Sequence, residues 1–269
     1  MPARLPDLVV IGAPRSGTTT LSHWLRSHPG VAFSHRKEVE FFDLFHDRGL
    51  GWYLEQFPDD PEARCVVEAT PTYLSEPGVD QRVCAALPDA RFVAILREPV
   101  ARAWSHYWFF VQLGLESRSW ARCLADEVPG DRAGYLWRGR YAEQLARWDA
   151  LVGPERLQVL LFDDLVTDPS GCFAQVCEFA GLVVQEPPAK ESVNPTRLPR
   201  SRRLQRLLQH PRAGSLRTAA YTWNAAGKPV PALDPAERAR LAPQYRDDLA
   251  ALAVRLGREL PASWAVPPA

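Results

Sequence analysis

The chain has 269 residues, 46% of them hydrophobic, and its 32 Lys+Arg balance its 32 Asp+Glu, so the net charge is zero. Neutrality argues against a dedicated nucleic-acid binder, which carries a basic domain. The hydrophobic content argues against disorder, and the length suffices for a sizeable core without metals or disulfides. Three of the 32 bases are lysines (Lys37, Lys190, Lys228), leaving 29 arginines. A GC-rich genome would give this bias, and so would selection for bidentate anion recognition.

In chain order, Leu8-Val9-Val10-Ile11 reads as a buried strand and Thr18 to Ser27 as the helix after it. The first run is far short of the roughly 20 residues of a membrane span. It also lacks the apolar region and cleavage site of a signal peptide. Cys65-Val66-Val67, Arg91 to Leu96 and Leu157 to Phe162 read as further strands, separated by helix-length segments at Gly78–Leu87, Pro99–Leu113 and Arg140–Leu151. Continuous apolar strands alternating with helices predict an α/β fold with a parallel sheet buried on both faces. After Phe162 the pattern turns mostly helical. Asp234-Pro235-Ala236-Glu237 carries an N-cap, a proline at the first helical position and a glutamate at the third. Pro243 ends or kinks that helix, and Tyr245, Leu249, Leu252 and Leu256 give a second amphipathic stretch closed by Gly257. With no internal repeat and no convincing boundary, residues 1–269 read as one domain. The five cysteines (Cys65, Cys84, Cys123, Cys172, Cys177) are scattered, odd in number and form no CxxC pair. They read as reduced, buried thiols of a cytoplasmic protein without a structural zinc site.

Gly12-Ala13-Pro14-Arg15-Ser16-Gly17-Thr18-Thr19 follows the first strand and opens a helix. This is the GxxxxG spacing of a phosphate loop in its strand–loop–helix setting. It predicts a P-loop-type parallel sheet flanked by helices, with backbone amides and the helix N-terminus converging on an anion. Ser16, Thr18, Thr19 and Thr20 add hydroxyl donors. A triphosphate loop needs lysine where this chain has Thr18; the cation sits earlier, at Arg15. The strand Arg91–Leu96 is followed by Arg97 rather than Asp, which disfavours an ATPase or kinase, although Asp163 after Phe162 keeps that reading open.

Together with three further segments this loop resembles the sulfotransferases that use 3′-phosphoadenosine 5′-phosphosulfate (PAPS), in particular the bacterial branch and the carbohydrate, heparan-sulfate-type enzymes. Gly12–Leu21 looks like their 5′-phosphosulfate loop. Arg97 to Ser105 (REPVARAWS) looks like their 3′-phosphate motif. Lys37 to Asp43 (KEVEFFD) looks like the KExxFFD segment that carries the catalytic acid, and Glu68 to Tyr73 (EATPTY) resembles the next block. The four fall in order within residues 8–110; weaker similarity continues around Gly139-Arg140-Tyr141 and Glu191–Arg203.

The resemblance implies sulfuryl transfer from PAPS to an acceptor hydroxyl, releasing adenosine 3′,5′-bisphosphate, with no metal. It makes Arg15 the cation that stabilises the leaving phosphate, at a position where the family more often has lysine. It makes Glu38 the general base, in a partly dry cleft that would raise its pKa, with Glu68 as the fallback. Arg97 and Ser105 would bind the 3′-phosphate, while Ser16, Gly17 and Thr18–Thr20 would hold the 5′ end. Glu40, Asp43, Glu68 and Tyr73 would lie on the acceptor side. Ala69 replaces an acceptor-binding lysine of some heparan enzymes, which argues against a heavily sulfated polymer. The aromatics Trp104, Tyr107, Trp108, Phe109 and Phe110 read as core, and His106 as structural.

Charge is unevenly spread. Residues 192–233 hold seven arginines and Lys228 with no acid, whereas 38–80 hold eleven acids against Arg48 and Arg64. The basic stretch fits a solvated helix face, a nucleic-acid or membrane patch, or a lid over the nucleotide; for the lid, Arg197 and Arg200 are the cofactor candidates. The acidic stretch suits a neutral or cationic acceptor: a sugar, or a glycosylated or phenolic small metabolite. The expected partners are this small-molecule or carbohydrate acceptor, with no nucleic acid and no membrane. The rival readings are a P-loop kinase and a nucleotide-binding protein without turnover.

Overall fold

The computed structural model describes residues 4–128, 130–131, 133–188, 197–209, 220, 223–224 and 227–267. The described chain divides into two compact units. The first comprises Met1–Arg97, Tyr141–Glu191 and Asp248–Ala262; the second comprises Glu98–Arg140, Ser192–Asp247 and Ser263–Ala269.

The first unit is built on a five-stranded sheet: β1 (Leu8–Gly12), β2 (Val31–Phe33), β3 (Cys65–Ala69), β4 (Arg91–Leu96) and β5 (Leu157–Leu161), in the order β2-β3-β1-β4-β5. Every pairing is parallel. β1 is fully buried along its length, as its unbroken apolar run requires, because side chains on both faces must leave water. One face, carrying Leu8, Val10, Val93 and Ile95, packs on α1 (Thr18–Arg26) through Leu21, Trp24 and Leu25, and on α8 (Pro169–Phe179) through Phe173, Val176 and Cys177. Each such side chain stabilises the fold by about 1.5–3 kcal/mol. On the other face Phe92 meets Trp148 of α6 (Tyr141–Val152) at 5.1 Å between ring centroids, and Arg147 of α6 pairs with Asp80 of α3 (Val79–Ala86) at 3.4 Å. The small helices α2 (Gly49–Leu54) and α7 (Phe162–Thr167) complete the unit. α11 (Arg246–Leu256) returns to it late in the chain: Asp248 accepts from the Ala142 amide at the start of α6 (3.1 Å), and Arg255 forks onto Asp149 at 2.5 and 2.7 Å.

The parallel α/β sheet and the mostly helical C-terminal part are as the sequence leads one to expect. β4 and α4 (Pro99–Leu113) match their predicted bounds. β2 was not foreseen; its three residues are too few to show a period.

In the second unit the Glu98 carboxylate caps α4, accepting from the Ala101 amide at 2.6 Å, with Pro99 at the first helical position. Tyr107, Trp108 and Val111 of α4 pack with Cys123 of α5 (Trp120–Asp126) and with Tyr135, so Tyr107 and Trp108 are core; Trp104 and Phe110 pack partly buried against them, and Phe109 is half-buried outside that cluster. His106 is buried there, its ring 4.5 Å from Phe110. α9 (Arg202–Gln209) and α10 (Pro235–Leu241) follow; α10 is capped by Asp234 as expected, and its Glu237 accepts from the Trp120 indole at 2.7 Å. Pro243 lies in the tight turn Ala242–Tyr245 that separates α10 from α11. The five cysteines are free. Among the described residues no helix is long and apolar enough to cross a membrane.

Candidate functional site

In a parallel sheet whose connections run to both sides of a central strand, ligands sit beyond the strands' carboxyl ends at that strand. Here the central strand is β1, flanked by β3 and β4. Three backbone bonds tie the candidate segments to those ends: Ala13 N–H to Ile95 O (2.7 Å), Thr70 N–H to Val10 O (3.1 Å) and Glu38 N–H to Ala69 O (3.0 Å).

The first segment is the loop from Gly12 to Gly17. A side chain at Gly12 would collide with Leu74, whose Cβ lies 2.5 Å from where a Cβ would stand. Gly17 ends the loop at φ 98°, a left-handed conformation that glycine adopts without strain. No side chain caps α1 at Gly17, and its first turn holds no acid. The amides at this helix start thus face outward with the positive end of the helix dipole, the arrangement that receives an anion. The Ser16 hydroxyl is buried without a hydrogen-bond partner among the described residues, so the loop holds a polar atom that a phosphate oxygen would satisfy. Thr18 is buried, Thr20 half-buried and Thr19 exposed.

Arg15 is also left-handed, at φ 69°. Its carbonyl accepts from Arg97 Nη1 at 3.3 Å. Burial, and after it the neighbouring Arg97 charge, push the Arg15 guanidinium down to about 10, with Glu38 opposing both. Two guanidinium groups held this close repel each other, and an anion between them relieves the repulsion. Arg97 follows β4 directly, and its guanidinium lies 4.8 Å over the ring of Phe162. The same ring closes on Gly17, 3.0 Å from a notional Cβ. Tyr141 donates to the Arg97 carbonyl at 2.8 Å.

The second segment, Lys37 to Asp43, has neither helix nor strand bonding at Glu38–Glu40. Glu38 (φ 62°) and Glu40 (φ 57°) are both left-handed, and with Arg15 they make up the non-glycine residues of positive φ among the described residues. Such conformations cost on the order of 1–3 kcal/mol each and gather at functional sites. The Glu38 carboxylate pairs with Lys37 Nζ at 2.5 Å, and its side chain is 44% exposed. It is therefore wetter than the partly dry cleft expected from sequence. The Glu40 carboxylate lies 4.0 Å from Arg36, and Asp43 accepts from the Thr72 hydroxyl at 2.5 Å.

Glu68, on β3, has no exposure. Desolvation, with a smaller push from Asp43, outweighs the bonds from the Tyr53, Thr70 and Tyr73 hydroxyls and leaves it raised to about 7. Thr70 donates to Oε1 at 2.7 Å, Tyr73 donates to Oε1 at 2.9 Å, and Tyr53 of α2 donates to Oε2.

Arg15, Arg97 and Glu38 are thus brought together, as are Glu40, Asp43, Glu68 and Tyr73. Ser105, Arg197 and Arg200 belong to the second unit. Ser105 is half-buried on α4. Arg197 donates to Gly227 O (3.3 Å) and Arg200 to Trp223 O (3.0 Å), with the Arg200 guanidinium 4.8 Å over the Trp223 ring. Residues 189–196, 210–219, 221–222 and 225–226 of the C-terminal motif and basic stretch lie outside the described residues. Sequence reasoning missed Phe162, Tyr53 and Thr70. Thr70 lay inside the quoted EATPTY block, whereas nothing local marked Tyr53.

Fold and site together define a P-loop-type α/β protein with two arginines and a carboxylate gathered at the carboxyl ends of its central strands. The Sulfotransferase family model matches residues 36–186, more than half of the chain, and the chain belongs to that family. Over 111 residues the chain is 36% identical to the membrane-associated sulfotransferase kil1 of Dictyostelium discoideum, covering 40% of this chain and 24% of that protein. Over 185 residues it is 32% identical to heparan sulfate glucosamine 3-O-sulfotransferase 6 of Homo sapiens, covering 66% and 53%. The chain therefore spans about half or less of the length of these relatives. The crystal structure of a sulfotransferase from Alicyclobacillus acidocaldarius is similar at a TM-score of 0.75 and 25% identity, covering 97% of this chain and 99% of that one.

Proposed function

We propose that residues 1–269 act as one sulfotransferase domain that moves the sulfuryl group of PAPS to an acceptor hydroxyl. The bond from sulfur to the phosphate oxygen breaks and one from sulfur to the acceptor oxygen forms. The acceptor proton passes to Glu38, and the charge left on the departing phosphate is met by Arg15. Catalysis in such a transfer is mostly positioning and charge stabilisation. The amides and hydroxyls of Ser16, Gly17, Thr18, Thr19 and Thr20 hold the 5′ group. Arg97 and Ser105 are assigned to the 3′-phosphate, and Arg197 and Arg200 to the nucleotide. Glu40, Asp43 and Tyr73 stand on the acceptor side. As a guanidinium, Arg15 is a poor proton donor, so its part is charge stabilisation through two N–H groups.

The observation that carries this reading is the meeting of Arg15, Arg97 and Glu38: a cation pair for a phosphorylated leaving group beside a carboxylate that solvent reaches. The relatives named for glucosamine 3-O-sulfation support a sugar hydroxyl as acceptor, and the eleven acids of residues 38–80 support one that is neutral or cationic.

Calorimetric titration tests it. Adenosine 3′,5′-bisphosphate binds without added metal, and removal of the 3′-phosphate or substitution Arg97→Ala weakens binding. Tight binding of ATP with magnesium, and none of the bisphosphate, would overturn the reading in favour of a kinase.

A further inference from the structure

We propose that Glu68 is a positioning residue for the base: by taking the protons of Thr70 and Tyr73 it turns both hydroxyl oxygens into acceptors for the amides of Glu40 and Phe42, and so fixes the backbone that carries Glu38. The inference rests on the reading of Glu38 given above.

The segment that carries Glu38 is held against residues 69–73 by three rungs. The Glu38 amide donates to Ala69 O at 3.0 Å, the Glu40 amide to Thr70 Oγ1 at 3.3 Å and the Phe42 amide to the Tyr73 hydroxyl oxygen at 3.2 Å. The first rung is backbone to backbone and keeps its polarity whatever surrounds it. The other two end on hydroxyls, which either donate or accept through the face they present. A hydroxyl has one proton, and an amide can only donate. Each rung therefore requires that the hydroxyl proton point elsewhere.

Glu68 supplies that elsewhere. Ionised, as it is above about pH 7, a carboxylate only accepts; its Oε1 then takes the protons of Thr70 and Tyr73, and its Oε2 takes that of Tyr53. Burial and the Glu68 charge push Tyr53 and Tyr73 well above the usual phenol range, so both keep the protons they donate. The polarity of the network thus runs one way, from backbone amide to hydroxyl to carboxylate. Its end is the pair of left-handed residues Glu38 and Glu40, whose conformations persist only where surroundings over-determine them.

The geometry also removes Glu68 from the chemistry itself. It has no exposure, and its oxygens already take three hydroxyl protons. An acceptor hydroxyl has no path to it, whereas Glu38 is 44% exposed.

The test compares Glu68→Gln, Thr70→Val and Thr70→Ser with the unaltered chain and with Glu38→Gln. Turnover of radiolabelled PAPS is followed with a 4-nitrophenyl glycoside and with water as acceptors, and adenosine 3′,5′-bisphosphate binding is measured in parallel. Glutamine keeps the shape but presents an amide donor, so one hydroxyl must turn its proton toward a backbone N–H. Glu68→Gln and Thr70→Val are expected to lower kcat by about tenfold or more while leaving nucleotide affinity within about twofold; Thr70→Ser, which keeps the hydroxyl, restores turnover. The Thr70 pair decides the matter if Glu68→Gln fails to fold. Unchanged turnover in Thr70→Val and Glu68→Gln would overturn the inference. So would a loss of nucleotide affinity equal to the loss of rate, since that marks a merely structural role. If Glu38→Gln turns over normally, the reading of Glu38 as base fails and the positioning role falls with it. If Glu38→Gln loses turnover while the Glu68 and Thr70 variants keep it, the positioning role fails alone.

Discussion

The loop at Arg15 and the segment at Glu38 meet at the carboxyl ends of the same strands, but they are built by different means. The loop is shaped by its own backbone: Gly12 has no room for a Cβ, Gly17 sits at φ 98°, and α1 starts with no acid in its first turn. The Glu38 segment has almost no shape of its own. It is held by Ala69, Thr70 and Tyr73, about thirty residues further along the chain, through two hydroxyls governed by Glu68. The contrast teaches that the backbone of an anion-receiving loop can be shaped locally, by glycines and a helix start, although its second cation, Arg97, comes from the end of β4, whereas a carboxylate in a strained backbone needs a long-range clamp.

If the Glu38 segment serves the acceptor and the loop serves the nucleotide, their variants should fail in different ways. Glu38→Gln is expected to lower sulfuryl transfer by about 100- to 10,000-fold, with adenosine 3′,5′-bisphosphate affinity preserved in calorimetry. Arg15→Ala should lower single-turnover transfer by about 100- to 1,000-fold, the usual loss when a group that stabilises developing charge is removed. A loss confined to nucleotide binding would move Arg15 out of the chemistry.

The Glu68 clamp is best sharpened by pH. The folded chain holds the Glu68 proton up to about 7, against an ordinary 4.5, more tightly than the unfolded chain does. The stability from this proton is therefore fully present below about pH 4.5 and lost as pH rises through about 7. Relative to Glu68→Gln, the unaltered chain should lose roughly 3 kcal/mol of unfolding free energy across that window, measured by denaturant melts at each pH. A difference independent of pH would contradict the burial argument.

Arg97→Ala should weaken adenosine 3′,5′-bisphosphate by about 10- to 100-fold, the worth of a charge-assisted hydrogen bond, and spare the analogue without the 3′-phosphate. Equal losses for both nucleotides would remove Arg97 from the 3′-phosphate. Gly17→Ala forces a Cβ into the left-handed region and against Phe162, and should cost about 1–2 kcal/mol in thermal or chemical melts. A neutral effect would mean the loop is not as constrained as its φ suggests.

Much of this architecture was legible in the chain. The strands β1, β3, β4 and β5 announce themselves as apolar runs, and the Asp234-Pro235 pair marks a helix start that the structure caps with that acid. The loop was readable because its glycines and threonines are contiguous. What was not readable depends on partners distant in sequence. Tyr53 and Tyr73 gain their meaning only when the fold brings them to Glu68. Asp248 accepts from a helix-start amide, that of Ala142, 106 residues earlier. The difference in burial between Glu38 and Glu68 was likewise hidden, because it is set by the packing of Tyr53, Thr70 and Tyr73 around Glu68 rather than by either carboxylate's own motif.

The most direct measurement is transfer of a radiolabelled sulfuryl group from PAPS to a panel of sugars, glycosides and phenols by the unaltered chain. The account predicts that label moves to the hydroxyl of at least one neutral or cationic acceptor, leaving adenosine 3′,5′-bisphosphate. Label retained in PAPS with every acceptor and with water, together with transfer of the γ-phosphate of ATP to any of them, would contradict it.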